Sequence, residues 1–106
     1  MIVVTTDGIP GYRVVQVIGL VRGLTVRSRS VVGNIGGAVQ AMFGGNVSVY
    51  TNLAERAREE AYELLVQHGQ QSGANAILAM RYEANDIMDG ITEVLAYGTA
   101  VVVEKA

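Results

Sequence analysis

The chain has 106 residues, half of them hydrophobic, and its 10 acidic and 8 basic side chains give a formal net charge of −2. This length fits a single domain over residues 1–106, and without a basic excess we expect no nucleic-acid partner. Zero cysteines exclude disulfides, thiolate catalysis and thiolate metal sites.

No stretch of the sequence has the roughly 18–20 continuous apolar residues of a membrane span. The N-terminal residues also lack the basic and apolar regions of a secretory signal. We therefore expect a cytoplasmic protein without a membrane partner.

Two strands are predicted at the start of the chain. Residues 2–6 are almost all β-branched, and turns at residues 7–8 and 10–11 separate them from the next segment. Residues 12–27 are rich in valine, isoleucine and leucine, which predicts one long strand with bulges or bends at Gly19 and Gly23.

Two helices are predicted next. Apolar residues recur at helical spacing over residues 31–43, where three glycines would weaken the helix unless close packing holds it. Residues 48–72 predict a longer helix, followed by Gly73 as the left-handed residue beyond its end. Its predicted apolar face carries Ala54, Ala57, Ala61, Leu64, Leu65 and His68.

The last part of the chain predicts a pair of strands. Residues 76–83 form a buried strand, residues 85–90 a turn, and residues 92–104 the final strand. The predicted fold class is α+β, in the order β-β-α-α-β-β, with a mostly antiparallel sheet.

Five separated motifs resemble one protein family, the YbjQ-like proteins, which carry a heavy-metal-binding label. The motifs are Thr5-Thr6 with Ile9-Pro10-Gly11-Tyr12, Gly44-Gly45-x-x-Ser48-x-Tyr50, Arg56-Ala57-Arg58 with Ala61, Gly73-Ala74-Asn75-Ala76-Ile77, and Tyr97-Gly98-Thr99-Ala100-Val101. The resemblance covers nearly the whole chain. It implies a dodecin-subunit-like fold that assembles into a ring, typically a pentamer, and it implies no settled activity.

The glycine-rich corner before the long helix is the best ligand candidate. Successive amides followed by a helix N-terminus are suited to hold a phosphate, carboxylate or other small anion. The candidate binding residues are Gly44, Gly45, Asn46, Ser48 and Tyr50. The alternative is structural, and we prefer it: the glycines turn the chain, Ser48 caps the helix and Tyr50 packs.

Metal binding has weaker support in the residues. Soft heavy metals favour thiolates or clustered imidazoles, and the chain offers only His68, a weak candidate unless symmetry gathers several copies. Hard cations are an alternative at a predicted acidic turn, but its spacing is not that of an EF-hand, and we prefer to interpret it as the solvated end of a hairpin. That turn carries Glu83, Asp86, Asp89 and Glu93.

Catalysis is the least supported class. Ser48, His68 and an acid provide the residue types of a hydrolase, but no nucleophile-elbow motif surrounds Ser48. We therefore expect a homo-oligomer without enzymatic activity or a cofactor. The mean hydropathy of +0.30 agrees, because apolar surface of that extent is expected to be buried between subunits.

Overall fold

The computed structural model describes residues 1–28 and 48–106. One helix and one four-stranded sheet make up this part of the chain, and the strand order across the sheet is β1-β3-β4-β2. In chain order the elements are β1 (Ile2–Val3), β2 (Tyr12–Ser28), α1 (Ser48–Gln71), β3 (Ala76–Met88) and β4 (Ile91–Lys105).

The predicted fold class needs correction. The described order is β-β-α-β-β rather than β-β-α-α-β-β, and the predicted helix at residues 31–43 lies outside the described residues. The sheet is mixed because β1 runs parallel to β3, with Ile2 opposite Ala76 and Val3 opposite Ile77. The dodecin-like, ring-forming part of the expectation finds no support in the single chain.

The first two strands, β1 and β2, lie at opposite edges of the sheet. β3 and β4 form an antiparallel hairpin, and β2 pairs antiparallel with the far side of β4. Only the outer side of β3 is therefore left for β1. Parallel pairing requires a long crossover, which the chain makes through β2 and α1.

Helix α1 covers one face of the sheet and forms the main core with it. Ala57, Ala61 and Leu65 of the helix are buried against small and aliphatic side chains. The sheet contributes Val21, Ile77, Met80, Val94, Ala96 and Ala100. Small residues in both layers let the helix lie close to the strands, which raises the packing density of the core.

The closest approach of helix and sheet occurs at Gly23. A Cβ atom placed there would lie 2.0 Å from the carbonyl oxygen of Ala61 and 2.4 Å from the nitrogen of Leu65. The predicted bulge at Gly19 is confirmed by a register shift against β4 between Val17 and Gly19. Gly23 keeps regular register, so its role is the close approach of α1 rather than a bulge.

The predicted C-terminal end of the long helix is confirmed. Gly73 has a φ of 92°, its N–H donates to the Gln70 carbonyl at 3.1 Å, and the N–H of Ala74 donates to the Gly69 carbonyl at 3.1 Å. This pair of bonds is the Schellman motif. No helix in the described ranges is long and apolar enough to cross a membrane.

The predicted turn at residues 85–90 is too long. Strand β3 continues to Met88, and only Asp89 and Gly90 connect it to β4, with Gly90 at a φ of 83°. The long hairpin and β2 make the molecule elongated, with extents of 56 × 25 × 18 Å. Within the described residues, the face of the sheet away from α1 is only partly covered.

Candidate functional site

The predicted anion-binding corner lies mostly outside the described residues. Gly44, Gly45 and Asn46 belong to the part of the chain without a described structure, while Ser48 is the first residue of α1. Tyr50 lies in the first turn and is half-buried. That turn contains no acidic residue, so no carboxylate there opposes an anion at the helix N-terminus.

His68 is exposed, and its ring lies against the edge of β2. Its Nδ1 atom is 3.1 Å from the backbone nitrogen of Arg22 and 3.2 Å from the backbone oxygen of Arg22. The Arg22 N–H donates to Nδ1 when that nitrogen is unprotonated. His68 therefore joins the end of α1 to the outer edge of β2.

Of the four acids of the predicted turn, Glu83 and Asp86 lie in β3, Glu93 lies in β4, and Asp89 lies in the connection between the two strands. Glu83 accepts a hydrogen bond from the Tyr97 hydroxyl at 3.1 Å, which raises the pKa of Tyr97. Asp86 accepts one from the Thr92 hydroxyl at 3.0 Å. Because side chains alternate between the faces of a strand, Glu83 and Asp86 point to opposite sides.

These positions do not fit a heavy-metal site in one chain. Within residues 1–28 and 48–106, no three His, Cys, Asp or Glu side chains lie close enough together to hold a metal ion. His68 has one ring nitrogen engaged by Arg22, and the whole chain contains no cysteine. Soft metals would therefore lack the donors that they favour.

A shallow cleft of about 510 Å³ separates α1 from the start of the hairpin. The guanidinium of Arg58 lies 5.3 Å from the ring centre of Tyr82, a cation–π contact, and burial raises the pKa of Tyr82. The lining also includes Glu55, Glu59 and Tyr62. The sequence did not predict this group, because its members come from elements paired only in the folded chain.

The most distinctive surface is a row of exposed apolar side chains on β2. The β2 stripe consists of Val14, Val17, Leu20, Leu24 and Val26, with exposed fractions of 44, 66, 69, 45 and 49%. These residues lie opposite Val103, Val101, Thr99, Leu95 and Glu93 of β4. Paired residues of an antiparallel sheet share a face, so the stripe lies on the face away from α1.

The stripe lies on an edge strand. Within the described chain, β2 has a neighbour on one side only, and Val21 and Thr25 on its other face are buried beneath α1. The exposed guanidinium of Arg22 lies within the stripe, between Leu20 and Leu24. Long apolar edge strands are places where another chain binds or aggregation starts.

Comparison with known proteins identifies the family. A family model described as "Putative heavy-metal-binding" matches residues 1–104, and this is the YbjQ model. The chain belongs to the YbjQ-like family. The resemblance found in the sequence motifs is thereby confirmed.

Curated members of the family are similar over nearly their full length. A UPF0145 protein of Solibacter usitatus is 54% identical over 104 residues, covering 98% of this chain and 93% of that protein. A UPF0145 protein of Chromobacterium violaceum is 56% identical over 102 residues, covering 96% and 87%. One from Burkholderia thailandensis is 50% identical over 105 residues, covering 99% and 95%.

A solved structure shares the YbjQ-like fold. The crystal structure of a protein of unknown function from Pediococcus pentosaceus, assigned to the DUF74 family, superposes with a TM-score of 0.63 at 16% identity. The match covers 98% of this chain and 97% of that chain. At this identity the similarity establishes the fold alone.

Proposed function

We propose that this chain functions as a self-assembling, non-enzymatic cytoplasmic protein and that the β2 stripe is buried between copies. The observation that carries this proposal is the exposure of five large apolar residues along one edge strand. Exposed apolar rows of this kind are typical of protein–protein interfaces. The family resemblance supplies five as the expected number of copies.

Burial of the β2 stripe alone contributes too little free energy to hold copies together, which supports an interface that extends beyond the stripe. Burying the remaining exposed part of a Val or Leu side chain contributes about 1 kcal/mol, so the stripe alone supplies about 5 kcal/mol. Association costs about 4–15 kcal/mol in lost freedom of motion. A stable assembly therefore needs further contacts in addition to the stripe.

Charge substitution in the stripe tests the proposal. In Leu20→Glu, a carboxylate replaces the most exposed residue of the stripe, which is 69% exposed in the single chain and contributes little to its core. We expect the variant to have the mass of one chain, 11.2 kDa, in light scattering while its circular dichroism stays unchanged. Leu64→Glu, at a 38% exposed position on α1, is the matched control and keeps the parent's mass. Equal masses for Leu20→Glu and the parent would refute the stripe as the interface.

Binding of a small anion at the Gly44–Ser48 corner is the second candidate function. The acid-free first turn of α1 favours it, because a helix N-terminus attracts negative charge. We expect phosphate or sulfate to raise the melting temperature of the parent and to have a smaller effect on Gly45→Val. Gly8→Val, at an exposed glycine with nothing within 4 Å of its Cβ position, is the control. If no anion stabilises the parent, the corner is structural.

Metal binding and hydrolysis are the remaining alternatives. The family description names heavy metals, and donors from several copies would be needed because no three His, Cys, Asp or Glu side chains of the described residues could hold a metal ion together. Elemental analysis of protein purified without chelator tests this alternative. Screening generic ester substrates tests whether the chain is a hydrolase that uses Ser48 or the hairpin acids. If the parent hydrolyses a substrate reproducibly and Ser48→Ala does not, the non-enzymatic proposal is overturned.

A further inference from the structure

We infer that the β2 stripe of one copy binds the β3–β4 hairpin of a second copy, so that the contact runs head to tail. The hairpin surface comprises residues 81–93. This inference rests on the proposed self-assembly and adds the identity of the two surfaces that meet. The supporting observations are charge, exposure and the open edge of β3.

The charges of the two surfaces are complementary. Strand β2 contains three arginines, Arg13, Arg22 and Arg27, and no acidic residue. The hairpin surface has four acidic residues and a single arginine. Arg13 and Arg27 lie opposite Glu104 and Thr92, on the face that α1 covers, so Arg22 is the one charged side chain of β2 on the face of the stripe. Two stripes brought together would place Arg22 of both copies at one surface, whereas the stripe against the hairpin pairs Arg22 with carboxylates. The charge pattern therefore favours a contact between different surfaces of the two copies.

Arg22 is the cation available for this contact. Arg13 and Arg27 already form ion pairs with Glu104 and Glu60. The guanidinium of Arg22 forms no ion pair within the described residues and lies among apolar neighbours of the stripe. Burial of this face would require a carboxylate for Arg22, because a buried unpaired charge is costly. The hairpin of another copy supplies carboxylates.

The hairpin is exposed in the single chain and has an open edge. Pairing with the N-terminal segment reaches Met80, whose N–H donates to the Val4 carbonyl at 3.0 Å. Past that residue, no strand of the described ranges lies along the outer edge of β3, the edge away from β4. Ile87 and Met88 are 55% and 61% exposed near the tip. The hairpin therefore offers apolar side chains as well as negative charge.

His68 limits how β2 can be approached. Its ring occupies the outward backbone groups of Arg22, so a new strand cannot pair along the whole edge of β2. Within the described residues, α1 covers only the opposite face, and the side chains of the stripe stay exposed. The inferred contact therefore uses the side chains of the stripe rather than continuous strand addition.

A mixing experiment tests the inference. The double variant Ile87→Arg/Met88→Arg removes the apolar tip and repels Arg22, while Leu20→Glu disables the stripe. We expect each variant alone to have the mass of one chain in native mass spectrometry. An equimolar mixture should give a species of two chains, because one variant retains the hairpin and the other retains the stripe.

Each outcome of the mixing experiment has a definite meaning. If the hairpin variant assembles like the parent, or if the mixture stays monomeric, the head-to-tail contact is refuted even though the parent assembles. A monomeric parent instead refutes the proposed self-assembly itself. Should circular dichroism show that the double variant is unfolded, Asp86→Lys at an exposed hairpin position replaces it with the same expected masses.

Discussion

At the scale of single residues, polar side chains connect elements that are far apart in the sequence. The hydroxyl of Thr25, which is 6% exposed, donates to the Glu60 carboxylate at 3.2 Å, and Arg27 pairs with the same carboxylate. The hydrogen bond from Arg27 lowers the pKa of Glu60 below its ordinary value of 4.5. Glu60 therefore links the end of β2 to α1.

This carboxylate makes the stability of the chain depend on pH. A group with a lowered pKa stabilises the folded state above its unfolded pKa, and that contribution is lost as the pH falls through the folded value. We expect Glu60→Gln to lower the free energy of unfolding at pH 7, and the difference from the parent should shrink below about pH 4.5. Urea titrations of both proteins at several pH values measure this difference in the free energy of unfolding.

The matched control for Glu60 is Glu63→Gln, an exposed position on α1 without an ion pair in the described structure. We expect this control to follow the parent across the same pH range. If the difference in the free energy of unfolding between Glu60→Gln and the parent stays constant down to the lowest pH, the stabilising role of the ionised Glu60 carboxylate is contradicted.

Single-residue roles of this kind were the least predictable from the sequence. The helical spacing placed His68 on the apolar face of α1 but gave no sign that its ring contacts the edge of β2 at Arg22. Sequence periodicity reports which side of a helix is apolar, but not where a neighbouring strand ends. Thr25 and Glu60 are 35 residues apart, and no local pattern links them.

At the scale of elements, the contact between β2 and α1 depends on Gly23. With Gly23→Ala, the added methyl would overlap backbone atoms of Ala61 and Leu65, so the helix must move away from the sheet. We expect a loss of about 3 kcal/mol in the free energy of unfolding, measured by denaturant titration. Gly8→Ala, where no atom lies within 4 Å, should have little effect. A near-neutral Gly23→Ala would show that α1 does not lie this close to β2.

Several elements were predictable because local chemistry decides them. The helix predicted at residues 48–72 is observed at Ser48–Gln71. The strand predicted at residues 12–27 is observed at Tyr12–Ser28. The helix is predictable because its apolar residues recur at helical spacing with charged residues between them, and because a glycine, Gly73, follows its last turn. The length of β3 was underestimated because Asn85, Asp86 and Gly90 resemble turn residues, whereas long-range pairing with β4 keeps the first two in a strand.

At the scale of the whole molecule, the sheet is longer than the helix that covers it. The molecule extends 56 Å along its longest axis, and α1 is packed over the part of β2 near Gly23. The positive mean hydropathy predicted exposed apolar surface. Its location on β2 was not predictable, because the parallel pairing of β1 with β3, which leaves β2 at an edge, is set by tertiary structure.

The molar mass of the parent protein tests self-assembly through the β2 stripe most directly. Native mass spectrometry at micromolar concentration should show a defined multiple of 11.2 kDa, with five chains as the multiple that the family resemblance implies. Hydrogen exchange on the same sample should show protection along β2. A mass of one chain at that concentration would contradict the account.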